Sequence, residues 1–188
     1  MKKLLALILF CNFVHAADNS VFIDQVGNNN VISITQDYVG NTATVDIGNL
    51  APSDSNTVNI TQQGPGTLNS LVDIKSGINN SITTNQVGTG NMTASVQNLN
   101  GSANSISISQ YGSGNHTMNI IGAAGTTNNM DTVNTVQSGA DKSFTLNLNG
   151  TNGATVTVQQ TNPTISNTGS MTITCTSGNC GNYSYIRQ

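Results

Sequence analysis

A short motif of glutamine, glycine and asparagine recurs along the chain and restricts its fold more than any other feature. In one copy, Gln86, Gly88, Asn91 and Gln97 are separated by one, two and five residues. Further copies are Gln25, Gly27, Asn30 and Gln36, which keep all four positions, and Gln110, Gly112 and Asn115, which lack the closing glutamine. Such repetition is typical of stacked, similar units, so the motif predicts an architecture before any chemistry.

Short segments of alternating apolar and polar residues surround these motifs. Their period of two is that of a β-strand, and no stretch shows the period of a helix. Fourteen strands are predicted, at residues 21–25, 31–36, 42–47, 57–62, 70–75, 81–86, 92–97, 105–110, 116–121, 132–137, 143–148, 154–159, 170–175 and 183–188. Two strands and two turns recur about every 22 to 24 residues, which suits one turn of a solenoid. The sequence therefore predicts an all-β, amyloid-like β-solenoid of two sheets and about seven strand-turn-strand rungs.

Alternation also predicts which side chains face the interior. Ile32, Ile34 and Gln36 share one face of their segment, whereas the facing of residues 116–121 and 154–159 is ambiguous. Amides that lie one rung apart, about 4.8 Å, can bond to each other along the axis as a ladder. The predicted ladder residues are Gln25, Asn30, Gln36, Gln62, Gln86, Asn91, Gln97, Gln110, Asn115, Gln137 and Gln159. The alternative is that these amides face solvent.

The turns between the segments are rich in glycine and asparagine. Both residue types accept a positive φ, which tight turns require. The predicted turn glycines are Gly27, Gly88, Gly90, Gly112 and Gly114.

The N-terminus has the pattern of a secretory signal. Lys2 and Lys3 precede an apolar run that is too short to span a bilayer, and small residues end it at Ala16. Cys11 is a poor lipoprotein anchor because the large Phe10 stands before it. We expect residues 1–16 to be a signal peptide and residues 17–188 to form the repeat domain.

Charge and residue types exclude several functions. Without the signal, three cations stand against eight aspartates and no glutamate, a net charge of about −5, so neither nucleic acid nor an anionic membrane is an expected partner. His116, predicted in a turn, is the one histidine after residue 16. Metal clusters and Ser-His-Asp catalysis need more such groups, so we expect no metal, no cofactor and no enzymatic activity.

Cys175 and Cys180 form a closely spaced pair near the C-terminus. In an exported chain such a pair is typical of a disulfide that closes a turn. A metal site is the alternative, but no histidine or second cysteine pair stands nearby to complete a zinc shell.

The motif resembles the repeat of the curlin family, the subunits of curli fibres on bacterial surfaces. The family pattern is Ser-x5-Gln-x-Gly-x2-Asn-x-Ala-x3-Gln, and the complete copies match its Gln, Gly, Asn and closing Gln. Two residues, Ile32 and Thr93, replace the family's alanine. The Gly-rich leader of the major subunit is not seen, since repeats begin near Ser20.

This resemblance implies a solenoid monomer that polymerises end to end into amyloid-like fibres for biofilm matrix and adhesion. The implied partners are copies of the same chain, a nucleating or co-assembling subunit, and an outer-membrane secretion apparatus. Exposed strand edges at both ends of a solenoid favour the same function. Asp24, Asp37, Asp46, Asp73 and Asp141 are predicted gatekeepers that slow premature assembly.

Two monomeric functions remain as alternatives. Outward threonines such as Thr42 with Thr44, or Thr155 with Thr157, could order water as in ice-binding solenoids, but they keep no single register through the chain. An adhesin could use the long connections at residues 48–56, 122–131 and 160–169 to contact a receptor.

Overall fold

The chain forms fourteen β-strands in the computed structural model, which describes residues 18–175 and 179–188. They are β1 (Ser20–Gln25), β2 (Val31–Asp37), β3 (Thr42–Ile47), β4 (Thr57–Gln63), β5 (Leu68–Ser76), β6 (Ser81–Gly88), β7 (Met92–Asn100), β8 (Ser105–Gly112), β9 (His116–Gly122), β10 (Thr132–Ser138), β11 (Lys142–Asn149), β12 (Thr155–Gln160), β13 (Asn167–Thr174) and β14 (Asn182–Arg187). Each predicted segment corresponds to one strand. No helix in the described ranges is long and apolar enough to cross a membrane.

The strands form two parallel sheets of seven strands each. The odd-numbered strands make one sheet, in the order β1-β3-β5-β7-β9-β11-β13, and the even-numbered strands make the other, in the order β2-β4-β6-β8-β10-β12-β14. One odd strand and the next even strand make a rung, so the solenoid has seven rungs, numbered here from the N-terminus. The predicted two-sheet β-solenoid is therefore confirmed.

The core lies between the two sheets. In β3 and β4 every second residue is buried, as period-two alternation requires. The two ambiguous segments are settled by the same alternation: Met118 and Ile120 are buried in β9, and Val156 and Val158 in β12.

The two end rungs differ from the interior. Val21 and Ile23 of β1 are 50% and 49% exposed, whereas their register partners Ala43 and Val45 are fully buried. At the other end, Tyr185 packs against Phe144 with ring centroids 4.7 Å apart. Gly169 makes room for this ring, because a Cβ there would lie 2.8 Å from the Tyr185 hydroxyl.

Candidate functional site

A continuous ladder of glutamines runs along the even sheet. Each Nε2 donates to Oε1 of the glutamine in the next rung, at 2.8 to 2.9 Å. The members are Gln36, Gln62, Gln86, Gln110, Gln137 and Gln160. All five bonds point the same way, from the N-terminal rung towards the C-terminal rung, so the ladder is polar.

The same amides also join the two sheets. Gln110 Nε2 donates to the Thr93 carbonyl at 2.9 Å, and Gln137 Nε2 donates to the Thr117 carbonyl at 2.9 Å. Both hydrogens of each amide are therefore used inside a buried site. Removing such an amide leaves buried partners unpaired, which costs about 1 to 3 kcal/mol per group.

Three predicted ladder glutamines lie outside this ladder. Gln25 of β1 is exposed and pairs in register with Ile47, which offers no amide. Gln97 aligns with Ile121 and donates to the Ser95 hydroxyl of its own strand.

Gln159 was predicted to be in the ladder, but the ladder residue of this strand is the next one, Gln160. Val156 and Val158 face the interior, so the next inward position is Gln160, which accepts from Gln137 at 2.8 Å. The prediction ended this strand one residue early and therefore chose the wrong face.

Different copies of the motif begin in different sheets. This explains why Gln25 and Gln97 were wrongly predicted to be ladder residues. The copy that begins at Gln25 starts in the odd sheet and ends at Gln36 in the even sheet. The copy that begins at Gln86 starts in the even sheet and ends at Gln97 in the odd sheet. Only the even sheet has glutamine at this position in six successive rungs, so only that column bonds continuously.

A second ladder, of asparagines, stands at the turns that lead into the even strands. Its members are Asn30, Asn56, Asn80 and Asn104, and in each the backbone N–H and Nδ2 of the later residue donate to Oδ1 of the earlier one. Asn56, Asn80 and Asn104 were missed by the sequence reasoning. Each directly precedes a strand, as Asn30 does, and that position was the available signal.

Asp131 ends the asparagine ladder at the fifth rung. Its backbone N–H donates to Asn104 Oδ1 at 3.0 Å, and its carboxylate accepts from the Thr151 hydroxyl and the Ala154 N–H. Burial raises the pKa of Asp131, and these two hydrogen bonds oppose the rise. In the two rungs that follow, Ala154 and Gly181 precede the even strands and offer no side-chain amide.

Asn91 and Asn115 stand at the opposite turns, which lead into the odd strands. Both are exposed. Asn115 Oδ1 accepts from the Asn91 N–H at 3.0 Å, and Asp141 accepts from the Asn115 N–H at 2.8 Å. These two residues therefore bond side chain to backbone along the surface, rather than amide to amide in the interior.

The turn glycines are required mainly by close stacking of turns. A Cβ on Gly88 would overlap the Gly112 carbonyl oxygen, and one on Gly90 would overlap that of Gly114. Gly27 and Gly112 have φ of 135° and 106°. Gly88, Gly90 and Gly114 lack a positive φ, so that part of the prediction was wrong for them.

Two ionisable residues are buried side by side in the odd sheet. His116, predicted where a turn meets the strand at residues 116–121, is the first residue of β9 and pairs in register with Lys142. Burial lowers the pKa of His116, and the hydrogen bond of Nε2 to the Tyr111 carbonyl opposes this. Burial also lowers the pKa of Lys142, whose Nζ donates to the carbonyls of Asn162 and Ile165 at 2.8 and 2.6 Å. The lysine thereby fixes the loop before β13.

Three aspartates lie in one column on the odd sheet. Asp24 pairs in register with Asp46, and Asp46 with Asp73. Parallel strands are about 4.8 Å apart, so like charges stack in adjacent rungs and repel. Lys75, at 2.9 Å, compensates Asp73.

Potential metal ligands, a surface cleft and a cysteine pair complete the description of the site. No group of three His, Cys, Asp or Glu side chains comes together within residues 18–175 and 179–188. A surface cleft of about 220 Å³ contains Leu50, Ala123 and Lys75. Cys175 and Cys180 are joined by a disulfide with their Cα atoms 5.9 Å apart.

The site therefore consists of hydrogen-bonded columns of side chains that run along the solenoid axis. At each end of the described solenoid, the last rung has a neighbouring rung on one side. The outward column that contains Thr42 also contains Asn69 and Ser143, so no uninterrupted threonine row runs along it. Function has to be inferred from this geometry. No protein-family model, curated protein or solved structure matches the chain.

Proposed function

We propose that the chain is a non-catalytic structural subunit that polymerises end to end into a curli-like amyloid fibre outside the cell. The observation that carries this proposal is the first rung. Its inward residues Val21 and Ile23 are about half exposed, although the same positions are fully buried one rung further in. Burying two such side chains would contribute about 1 kcal/mol each.

The strand edges of the end rungs support the same function. Among the strands of residues 18–175 and 179–188, β1, β2, β13 and β14 each pair on one side only. A parallel edge with unpaired N–H and C=O groups is a template for another chain of the same kind. Stacking rungs end to end would continue both sheets.

In this proposal the fibre belongs to the bacterial cell surface, where it contributes to biofilm matrix and adhesion. The resemblance of the motif to curlin repeats supports this location. It also supports two further partners, a nucleating or co-assembling subunit and an outer-membrane secretion apparatus. The gatekeeper role of the aspartates is part of the same proposal.

Assembly of purified protein lacking residues 1–16 tests this function. We expect thioflavin-positive fibres with diffraction spacings of about 4.7 and 10 Å, and faster growth when preformed fibres are added. Growth without added seed would indicate a nucleating subunit, and strict dependence on seed an extending one. A β-rich protein that stays monomeric at high concentration would contradict the proposal.

A further inference from the structure

The glutamine ladder has different chemistry at its two ends. At the N-terminal end, Gln36 Oε1 accepts no hydrogen bond from any described residue, while its Nε2 donates inward to Gln62. At the C-terminal end, the register position after Gln160 is Arg187. Arginine donates hydrogen bonds but accepts none. The column therefore ends in an acceptor on one face and a donor on the other.

We infer that these ends join: Arg187 of one copy donates to Gln36 Oε1 of the next copy, in a polar, in-register junction between β13–β14 and β1–β2. This inference rests on the proposed function and specifies its subunit contact. It follows from continuing the observed register by one rung.

The apolar columns fit the same register. Ile23, Val45, Val72, Val96, Ile120, Leu146 and Met171 share one column of the odd sheet. Continued by one rung, Met171 lies against Ile23 of the next copy. In the even sheet Ile34 and Tyr185 share a column in the same way. The exposed Ile23 and the half-buried Ile34 thus meet the half-buried Met171 and Tyr185.

Charge favours this orientation over the others. The first rung contains Asp24 and Asp37, and Arg187 of the last rung forms no ion pair with any described residue. Two N-terminal faces would bring together acceptor oxygens and like carboxylates, and two C-terminal faces would bring together guanidinium groups. Like charges directly opposed in a sheet are unfavourable.

Cysteine pairs across the junction give a direct test. Ser33 and Ser184 are exposed and share one column of the even sheet. In register, their Cα atoms would be about 4.8 Å apart, within the range that a disulfide spans. We expect the Ser33→Cys/Ser184→Cys protein to form disulfide-linked multimers under mild oxidation. The matched control is Ser33→Cys/Ile186→Cys, which is displaced by two residues, beyond that range.

Variants of Arg187 test the hydrogen bond itself in the Ser33→Cys/Ser184→Cys background. Arg187→Gln can accept from Gln160 and donate to Gln36, so cross-linking is expected to persist. Arg187→Glu places a carboxylate against the Gln36 oxygen and Asp37, and we expect at least tenfold slower cross-linking.

The outcomes separate the junction from the function. Fibres that cross-link equally in the displaced control, or not in the in-register pair, would overturn the junction and leave the proposed function standing. Unchanged cross-linking in Arg187→Glu would also overturn the role of Arg187. If the protein does not associate in any assay, both the junction and the proposed function are wrong.

Discussion

Gln110 donates its Nε2–H to Oε1 of Gln137 at 2.8 Å, although 27 residues separate them. The preceding step of the ladder, from Gln86 to Gln110, spans 24 residues, and the last, from Gln137 to Gln160, spans 23. The number of residues per rung therefore varies, whereas the hydrogen bond between successive glutamines does not. The extra residues lie in loops outside the strands. The ladder thus keeps successive strands in register, and the loops accommodate the insertions.

Replacing a central ladder amide is expected to destabilise the fold strongly. Gln110→Ala leaves Gln86 without its acceptor and Gln137 without its donor, and opens a cavity. We expect a loss of about 3 to 4 kcal/mol in the free energy of unfolding, measured by urea denaturation. Gln159→Ala is the control, since Gln159 lies outside the ladder, and its effect should stay below about 0.5 kcal/mol. Equal losses in both would contradict the ladder.

Adding a side chain to a glycine in the stacked turns is expected to destabilise the fold. Gly88→Ala would drive a Cβ into the Gly112 carbonyl oxygen and to 2.7 Å from Met92 Cε. The backbone of one rung has to move, so we expect a loss of about 2 to 4 kcal/mol in thermal or urea unfolding. Gly181→Ala, with no neighbouring atom within 4 Å of its Cβ, is expected to be nearly neutral. A neutral Gly88→Ala would show that the turns do not stack closely.

Asp131→Asn is expected to stabilise the protein at neutral pH. The amide can continue the asparagine ladder to a fifth rung and removes a carboxylate whose pKa burial raises. A raised pKa means that the native state retains a proton that the unfolded state has lost. The contribution of this carboxyl to stability is therefore greatest below pH 3.8 and is lost as the pH rises through the folded-state pKa.

The Asp131→Asn protein lacks this decline, so we expect it to gain about 1 to 2 kcal/mol over the native protein at pH 7. Urea denaturation at pH 4 and pH 7 measures the difference, which should shrink at the lower pH. Asp141→Asn makes the same substitution at an exposed site and serves as the control. A less stable Asp131→Asn protein would mean that the carboxylate is needed where it stands.

His116 is expected to make the fold sensitive to acid. Its pKa is lowered from 6.5 by burial, so the unfolded state takes up a proton before the native state does. Its stabilising contribution is present above pH 6.5 and is lost as the pH falls towards the folded-state pKa. His116→Gln retains a donor for the Tyr111 carbonyl but does not titrate.

Below pH 6.5, we expect the unfolding free energy of the native protein to fall relative to that of His116→Gln, by up to about 1.4 kcal/mol per pH unit. Urea denaturation of both proteins over a range of pH measures this difference. Parallel pH profiles would contradict the burial of a neutral imidazole.

The aspartate column is expected to be a source of repulsion. Asp46 lies between Asp24 and Asp73, and Asp46→Asn still accepts from Asn49. We expect Asp46→Asn to stabilise the fold by about 0.5 kcal/mol at low salt and by less at 1 M salt. Asp37→Asn, outside the column, is the control. An effect that is independent of salt would rule out charge repulsion.

The strands were predictable because the chain alternates strictly. Each buried position of β3, β4 and β11 follows from period two, and glycine and asparagine mark the turns between them. The number of rungs followed from the same pattern. The strands, the turns and the number of rungs can therefore be predicted from short stretches of the sequence.

The ladder was less predictable because it depends on neighbouring rungs. Gln25 and Gln36 look alike in the motif, but only Gln36 has a glutamine beside it in the next rung. The difference is a property of the stack, which a single motif does not contain. Likewise Gln159 and Gln160 are adjacent glutamines, and the end of β12 decides which of them faces inward.

The asparagine ladder covers only the first four rungs, so the solenoid is unequally strong along its length. Rungs one to four are held by both side-chain ladders. Asp131 joins the fifth rung to the fourth, the glutamine ladder ends at Gln160 in the sixth, and the seventh rung has Arg187 at that position. Each rung contacts only its neighbours, so the force needed to separate two rungs depends on the contacts between those two rungs. Under tension along the axis we expect the molecule to part first in its C-terminal three rungs, leaving the N-terminal four as the fragment that withstands pulling.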